Sequence, residues 1–332
     1  MKTKFDPSPM MVLGFEGDNA EDLRHRLKHF GGLGAILFKR NCTSSEQIQD
    51  LNQELGETWP SERPILAIDH EGPRVSRLRG IVDTPSGAKE LGLEDDPEKS
   101  RATGTQMAED LRRLGFNLNF APVLDLEVFE DHPALKGRCF HEDPERVGRH
   151  GAAMIQGLHE GGVTACGKHF PGHGSAPLDS HIDMPTSPRD LYELRRQDLR
   201  PYKPAMEAGL ELIMPAHVTF PEIDKNPAPC SQLFLQTILR EELNYTGMVI
   251  TDDCDMLGFQ NLGPIRETVA RCVKAGIDIF LCCRSPEVQE EVHAGLRDLY
   301  AQDYAIRETL EGTVKKALSL RRRILKRAEE KK

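Results

Sequence analysis

The sequence predicts an α/β fold, a single (β/α)8 TIM-like barrel with a C-terminal capping helix, and three observations predict it. Short apolar runs alternate with longer amphipathic segments, the pattern of a parallel sheet covered by helices. About eight strand candidates are spread along the chain, most of them followed by a helical segment. No Gly-rich dinucleotide fingerprint follows the first strand, which favours a closed barrel over a doubly wound sheet.

The strand candidates are residues 10–15, 33–38, 64–69, 116–125, 163–170, 210–217, 247–253 and 277–283, each a short apolar run. Between them, helical periodicity covers 44–57, 97–115, 144–162, 189–209, 230–243 and 264–276. Several of these segments close on glycine, the residue that best ends a helix. Residues 305–332 form a Lys- and Arg-rich amphipathic segment with Leu310, Val314, Ala317, Leu318 and Ile324 at roughly helical spacing. It is expected to be a capping helix with a frayed basic tail. Residues 1–332 are thus expected to form one barrel domain, with 38% hydrophobic residues sufficient for a large core.

Net charge is −10 and, apart from the C-terminal cluster, basic residues are dispersed, so no phosphate-tracking surface for nucleic acid is expected. No run reaches membrane-spanning length. The apolar run 10–15 is too short for a secretory h-region and follows Asp6, Pro7 and Pro9. Eight cysteines are scattered without a CxxC pair, and a reducing cytoplasm is the expected location. The chain is expected to act as a monomer.

Chemistry is concentrated where barrel enzymes place it, at the C-terminal ends of the strands. The third strand ends in Asp69, His70 and Glu71, the fourth in Asp125, the fifth in Lys168 and His169, the sixth in His217 and the seventh in Asp252 and Asp253. Immediately after the fifth strand, Pro171, Gly172 and Gly174 force an irregular path through a segment rich in ionisable groups. There is no serine nucleophile elbow and no P-loop, which leaves carboxylates and histidines to do the work.

Asp252, at the tip of an apolar strand, is suited to attack an electrophilic carbon, although a helix N-cap is the plainer reading of a lone Asp there. Asp179 and His181 form an extended Asp-x-His that places both side chains on one side of the chain. The carboxylate orients the imidazole and favours its protonated form, giving an acid that donates to a leaving oxygen and then takes a proton from water. A metal-dependent hydrolase built on His169, His173, His217 and Asp252 is the rival from another class. Against it, Pro171 and Gly172 break the helix that an i, i+4 ligand pair needs, and no strand carries His-x-His. A non-catalytic sugar-binding barrel is a third reading.

The string Lys-His-Phe-Pro-Gly-His-Gly at 168–174, followed after four residues by Asp-Ser-His, resembles the bacterial β-N-acetylhexosaminidases of glycoside hydrolase family 3, the NagZ type. Segments 68–77, 120–125, 214–218 and 251–256 resemble that family's other blocks in the family's order, so the likeness spans about residues 12–283. Pro73 and the pair Cys254 and Asp255 depart from its pattern. The resemblance implies Asp252 as nucleophile and His181 as general acid/base supported by Asp179. It also implies that Asp69, Arg77, Arg138, Lys168 and His169 hold the terminal sugar's hydroxyls. The implied reaction is retaining removal of β-linked N-acetylglucosamine from muropeptide fragments in cell-wall recycling, with no cofactor and no metal. A family 3 β-glucosidase or an N-acetylglucosaminide phosphorylase is the alternative within the same likeness.

Overall fold

The computed structural model describes residues 5–60, 62–177 and 185–331. Eight strands make the sheet: β1 (Met11–Leu13), β2 (Gly34–Leu37), β3 (Ile65–Ile68), β4 (Leu118–Asn119), β5 (Thr164–Phe170), β6 (Leu212–Pro215), β7 (Met248–Asp253) and β8 (Ile279–Cys282). Each lies parallel to the next and β8 returns to β1, so the sheet closes into a barrel. Side chains alternate along every strand of such a sheet, and two buried clusters follow from that alternation. Val12, Ile36, Ala67, Cys166, Leu212, Met248, Ile250, Ile279 and Leu281 belong to an inner cluster. Met11, Leu13, Ala35, Leu37, Leu66, Ile68, Ile213, Val249 and Phe280 join a larger cluster beneath the helices.

The helices are α1 (Glu21–His29), α2 (Ser45–Thr58), α3 (Ala88–Glu94), α4 (Pro97–Arg113), α5 (Pro144–Glu160), α6 (Leu191–Arg196), α7 (Tyr202–Glu207), α8 (Leu257–Gln260), α9 (Ile265–Ala275), α10 (Pro286–Gln302) and α11 (Arg307–Glu329). A π-helix, Leu233–Glu242, lies between β6 and β7. Their starts follow local chemistry. Asp96 and Asp143 cap α4 and α5 by accepting from Glu98 and Glu145 N–H groups, with Pro97 and Pro144 in the first turn. Ser285 and Pro286 do the same for α10.

Helices α4 and α5 touch through glycine. A Cβ on Gly157 would stand 2.0 Å from the Arg101 carbonyl oxygen, and one on Gly104 would stand 2.5 Å from that of Met154. The two backbones therefore meet at a distance no larger residue allows.

Several expected elements differ. The helix expected over 189–209 is divided into α6 and α7, because Gln197 leaves helical geometry and Pro201 begins a new turn. The strand expected over 116–125 pairs regularly only at Leu118 and Asn119; Pro122 cannot donate to a ladder, and the chain rejoins β5 at a Val123–Lys168 bridge. Helices α1, α3, α8 and α10 were not among the expected elements. The basic tail does not fray within the described residues. Arg321 and Arg322 pair with Glu62, and Arg323 and Arg327 pair with Glu211. Ala317, Leu320 and Ile324 of α11 join the inner barrel cluster and cover its N-terminal opening. All eight cysteines are buried free thiols, and no described helix is long and apolar enough to cross a membrane.

Candidate active site

Three strands carry the inward alternation one step past the apolar core, and each meets a charge there. Ala67, Cys166 and Ile250 face the barrel interior, so Asp69, Lys168 and Asp252, two residues further on, point into its C-terminal mouth. Together with Glu71, Arg74, Arg77, Arg79, Arg138, His169 and His173, they line a cavity of about 560 Å3. That volume is within the range of small-molecule sites.

One wall is a continuous row of opposite charges. Arg77 Nη2 donates to Asp69 Oδ2 at 3.0 Å, and Lys168 Nζ donates to Asp69 Oδ1 at 3.0 Å. Lys168 also reaches Glu71 Oε1 at 2.7 Å, and Arg138 grips Glu71 through Nε and Nη2 at 2.7 and 2.8 Å. This last contact is bidentate, the strongest geometry for a guanidinium and a carboxylate. Burial alone would push the Asp69 and Glu71 carboxyls up, but their cationic neighbours hold both below the ordinary range. Burial opposes the Lys168 charge too, yet Asp69 and Glu71 raise its pKa.

The loop after β3 supplies Asp69, Glu71 and Arg77 because it folds back on itself. Glu71 N–H donates to the Val75 carbonyl at 2.8 Å, and Arg77 N–H donates to that of Asp69 at 3.3 Å. Asn119 at the end of β4 clamps the loop's start, accepting from His70 N–H at 3.0 Å and donating to His70 O at 2.8 Å. Pro73 sits within this turn and leaves the Asp69–Arg77 pair formed.

Another buried carboxylate, Asp125, orders the loop after β5. Asp125, 1% exposed, accepts from His169 N–H at 3.2 Å, from the His173 N–H at 2.6 Å, and bonds His169 Nδ1 at 2.7 Å. Burial opposes its charge, but His169 holds its carboxyl below the ordinary value. The two sides of the following segment are joined by the Ser175 and Ser187 hydroxyls, 2.7 Å apart. Below this junction Asp198 packs against Gly172, whose Cβ, if present, would lie 2.6 Å from that of Asp198. Arg189 Nε lies 3.3 Å from Asp198 Oδ2, yet burial pushes the Asp198 carboxyl up to about 7.

Asp252 ends the inward row of β7 and takes an N–H from Asp253 on Oδ1 at 2.8 Å. Burial works against its ionisation, but His169, His217 and Lys168 hold it below the usual carboxylate range. It is therefore a charged carboxylate at neutral pH in a pocket rich in hydrogen-bond donors. Asp253 and Asp255 do local structural work: Asp253 accepts from Asp255 and Cys283 N–H groups, and Asp255 accepts from those of Arg284 and Ser285.

Of the residues singled out from sequence, Asp69, Arg77, Arg138, Lys168, His169 and Asp252 are brought to one cavity. Asp179 and His181 lie outside the described residues. Glu71 and Asp125, which the sequence marks only as charge at strand ends, and His173, which it names only in the metal-dependent reading, also belong to the site. Among the described residues no group of three His, Cys, Asp or Glu side chains is disposed to hold a metal ion, and His169 has Nδ1 engaged by Asp125.

The family model described as the glycosyl hydrolase family 3 N terminal domain matches residues 10–316. A β-hexosaminidase of Thiobacillus denitrificans is 38% identical over 294 residues, covering 87% of this chain and 81% of that protein. One of Stenotrophomonas maltophilia is 37% identical over 293 residues, 86% of each chain. Among solved structures, a family 3 β-N-acetylglucosaminidase of Paenibacillus superposes with a TM-score of 0.92 at 32% identity over 98% of this chain, which spans 63% of that enzyme. NagZ of Neisseria gonorrhoeae in complex with N-trifluoroacetyl-D-glucosamine superposes with a TM-score of 0.75 at 34% identity, over 87% of this chain and 85% of that one.

Proposed function

The chain belongs to glycosyl hydrolase family 3, and from that premise we propose that it is a retaining exo-β-N-acetylglucosaminidase releasing terminal N-acetylglucosamine from peptidoglycan-derived muropeptides. The observation that carries this reading is Asp252, a carboxylate kept ionised on the same cavity that the row Arg77, Asp69, Lys168, Glu71 and Arg138 lines. Relatives named β-hexosaminidase support the choice of sugar.

In the first step Asp252 attacks the anomeric carbon while the bond to the leaving oxygen breaks and His181 gives that oxygen its proton. In the second step water loses a proton to His181 and attacks the same carbon, freeing Asp252 and releasing the sugar with its configuration retained. Asp179 orients His181 and stabilises its charged form. Asp69, Arg77, Arg138, Lys168 and His169 bind the sugar's hydroxyls. Because their partners are fixed in advance, the hydroxyls meet oriented donors and acceptors that need little rearrangement. The reading includes a monomeric enzyme acting in the cytoplasm in cell-wall recycling.

The test is cleavage of a chromogenic N-acetyl-β-glucosaminide by the parent, Asp252→Asn and His181→Ala, with and without phosphate. We expect phosphate-independent cleavage by the parent and a fall in kcat of about 10³-fold or more for Asp252→Asn. Cleavage that requires phosphate would make the protein a phosphorylase, and preference for the glucoside would make it a β-glucosidase. Parent-like activity in Asp252→Asn would remove Asp252 as nucleophile.

A further inference from the structure

Asp69, Glu71, Arg77, Arg138 and Lys168 on the cavity wall are engaged with one another, but one buried side chain on the same cavity has no such partner among the described residues. His173 is 3% exposed and lines the same cavity as Lys168, His169 and Asp252. Neither of its ring nitrogens has a hydrogen-bond partner among the described residues. Its neighbours differ in this respect. His132 bonds the Ala176 carbonyl through Nε2 at 2.7 Å and accepts from the Ala134 and Leu135 N–H groups on Nδ1 at 3.2 Å. His169 is bonded by Asp125 through Nδ1.

His173 is nonetheless firmly placed. Its backbone N–H is held by Asp125, and its ring stands edge-on to His132 and His169, with centroids 5.2 and 6.0 Å away. Burial pushes its pKa down to about 4, so at neutral pH it offers one N–H donor and one bare nitrogen acceptor. Buried polar atoms are nearly always paired, and one left unpaired beside a cavity points to a partner that arrives with the ligand.

We propose that His173 is a further sugar-recognition residue, whose neutral imidazole makes with a hydroxyl of the bound sugar a hydrogen bond that no described protein group makes. This rests on the glycosidase reading above. A hydroxyl suits it because it can either donate to the bare nitrogen or accept from the N–H of a neutral imidazole. The wall of ion pairs fixes the rest of the ring, while His173 tests for one hydroxyl: a sugar lacking it would leave a buried nitrogen unpaired.

The experiment measures kcat/KM of the parent, His173→Phe and His173→Gln on an aryl N-acetyl-β-glucosaminide and its 3-, 4- and 6-deoxy analogues. Phe keeps the edge-on packing without polar atoms, and thermal unfolding checks that both variants fold. In the parent, one deoxy analogue is expected to lose about ten- to a hundredfold. His173→Phe should lose a similar factor on the full substrate and no longer distinguish that analogue from it, while His173→Gln recovers part of the discrimination. Deoxy penalties unchanged by His173→Phe, or parent-like cleavage of the full substrate by that variant, would overturn the proposal. A parent that prefers glucosides refutes the choice of sugar alone, and the deoxyglucoside series then tests His173 in the same way. A parent that cleaves neither sugar overturns both readings.

Discussion

Replacing Arg138 by methionine would leave Glu71 as a buried carboxylate with one of its two cationic partners gone. The Glu71 and Arg138 side chains are 6% and 13% exposed, so solvent screens their bidentate contact little. Breaking a buried pair by removing one partner costs about 3–5 kcal/mol. Lys168, 2.7 Å from Glu71, still shares the charge, which places Arg138→Met at the lower end, about 3 kcal/mol. With an unfolding entropy of about 0.7 kcal/mol/K for a chain of this length, Tm should fall by about 4 °C.

The pH dependence has a definite sign. The Glu71 carboxyl is depressed in the folded protein, so its contribution is fully present above its unfolded value near 4.3 and is lost as pH falls through the folded value. Losing Arg138 raises that folded value. The stability gap between parent and variant is therefore full at pH 7 and narrows at acid pH. Urea titrations at both pH values would measure it, with Arg138→Met/Glu71→Gln as the decisive companion. Once the carboxylate is neutral nothing is stranded, and the double variant should recover most of the loss. A single variant within about 1 kcal/mol of the parent, a gap independent of pH, or no recovery in the double variant would refute this account.

Three other outcomes follow from packing and burial. Gly157→Ala drives a Cβ to 2.0 Å from the Arg101 carbonyl and should cost about 3 kcal/mol as α4 and α5 are forced apart, measurable as a lower urea midpoint. Leu320→Ala, which empties a fully buried position where α11 meets the barrel interior, should cost about 2–5 kcal/mol in the same assay. The Asp198 carboxyl is raised to about 7, so the folded protein loses stability as pH rises from about 4 towards 7, where only the unfolded chain ionises freely. Asp198→Asn should accordingly gain about 1–3 kcal/mol over the parent at pH 8 and show no gain at pH 4, by urea titration at each pH.

Strands were legible because a parallel barrel buries both faces of each strand and writes it as a short apolar run; 247–253 and 163–170 contain β7 and β5 with bounds within one residue. Helices with strong caps and long periodicity, such as α4 and α5, were equally plain. Helix α10 carried the same signals in Ser285, Pro286, Val288 and Val292 and was overlooked, whereas the break after α6 depended on the unusual backbone of Gln197, which spacing does not reveal. At the site, the rule that charge gathers at strand ends located the groups but not their partners. Lys168 meets Asp69 across 99 residues and Arg138 meets Glu71 across 67. Such pairs are decided by the closing of the barrel, and local pattern holds no record of them. The isolation of His173 was likewise invisible, because being unpaired depends on everything that surrounds a ring.

Helix α11 follows all eight strands in the chain, yet Ala317, Leu320 and Ile324 complete the cluster inside the barrel. During synthesis the order of events is therefore constrained. When β8 emerges from the ribosome the sheet has every strand it needs to close, but its lower opening still exposes Val12, Leu33 and Ile65 until α11 arrives about three dozen residues later. At the usual pace of translation that interval lasts roughly two to seven seconds. The nascent barrel spends it with a greasy aperture facing solvent, the kind of surface that chaperones recognise and that aggregates grow from. Glu62 and Glu211, waiting at that rim for Arg322, Arg323 and Arg327, hold the landing place for the helix that shuts it.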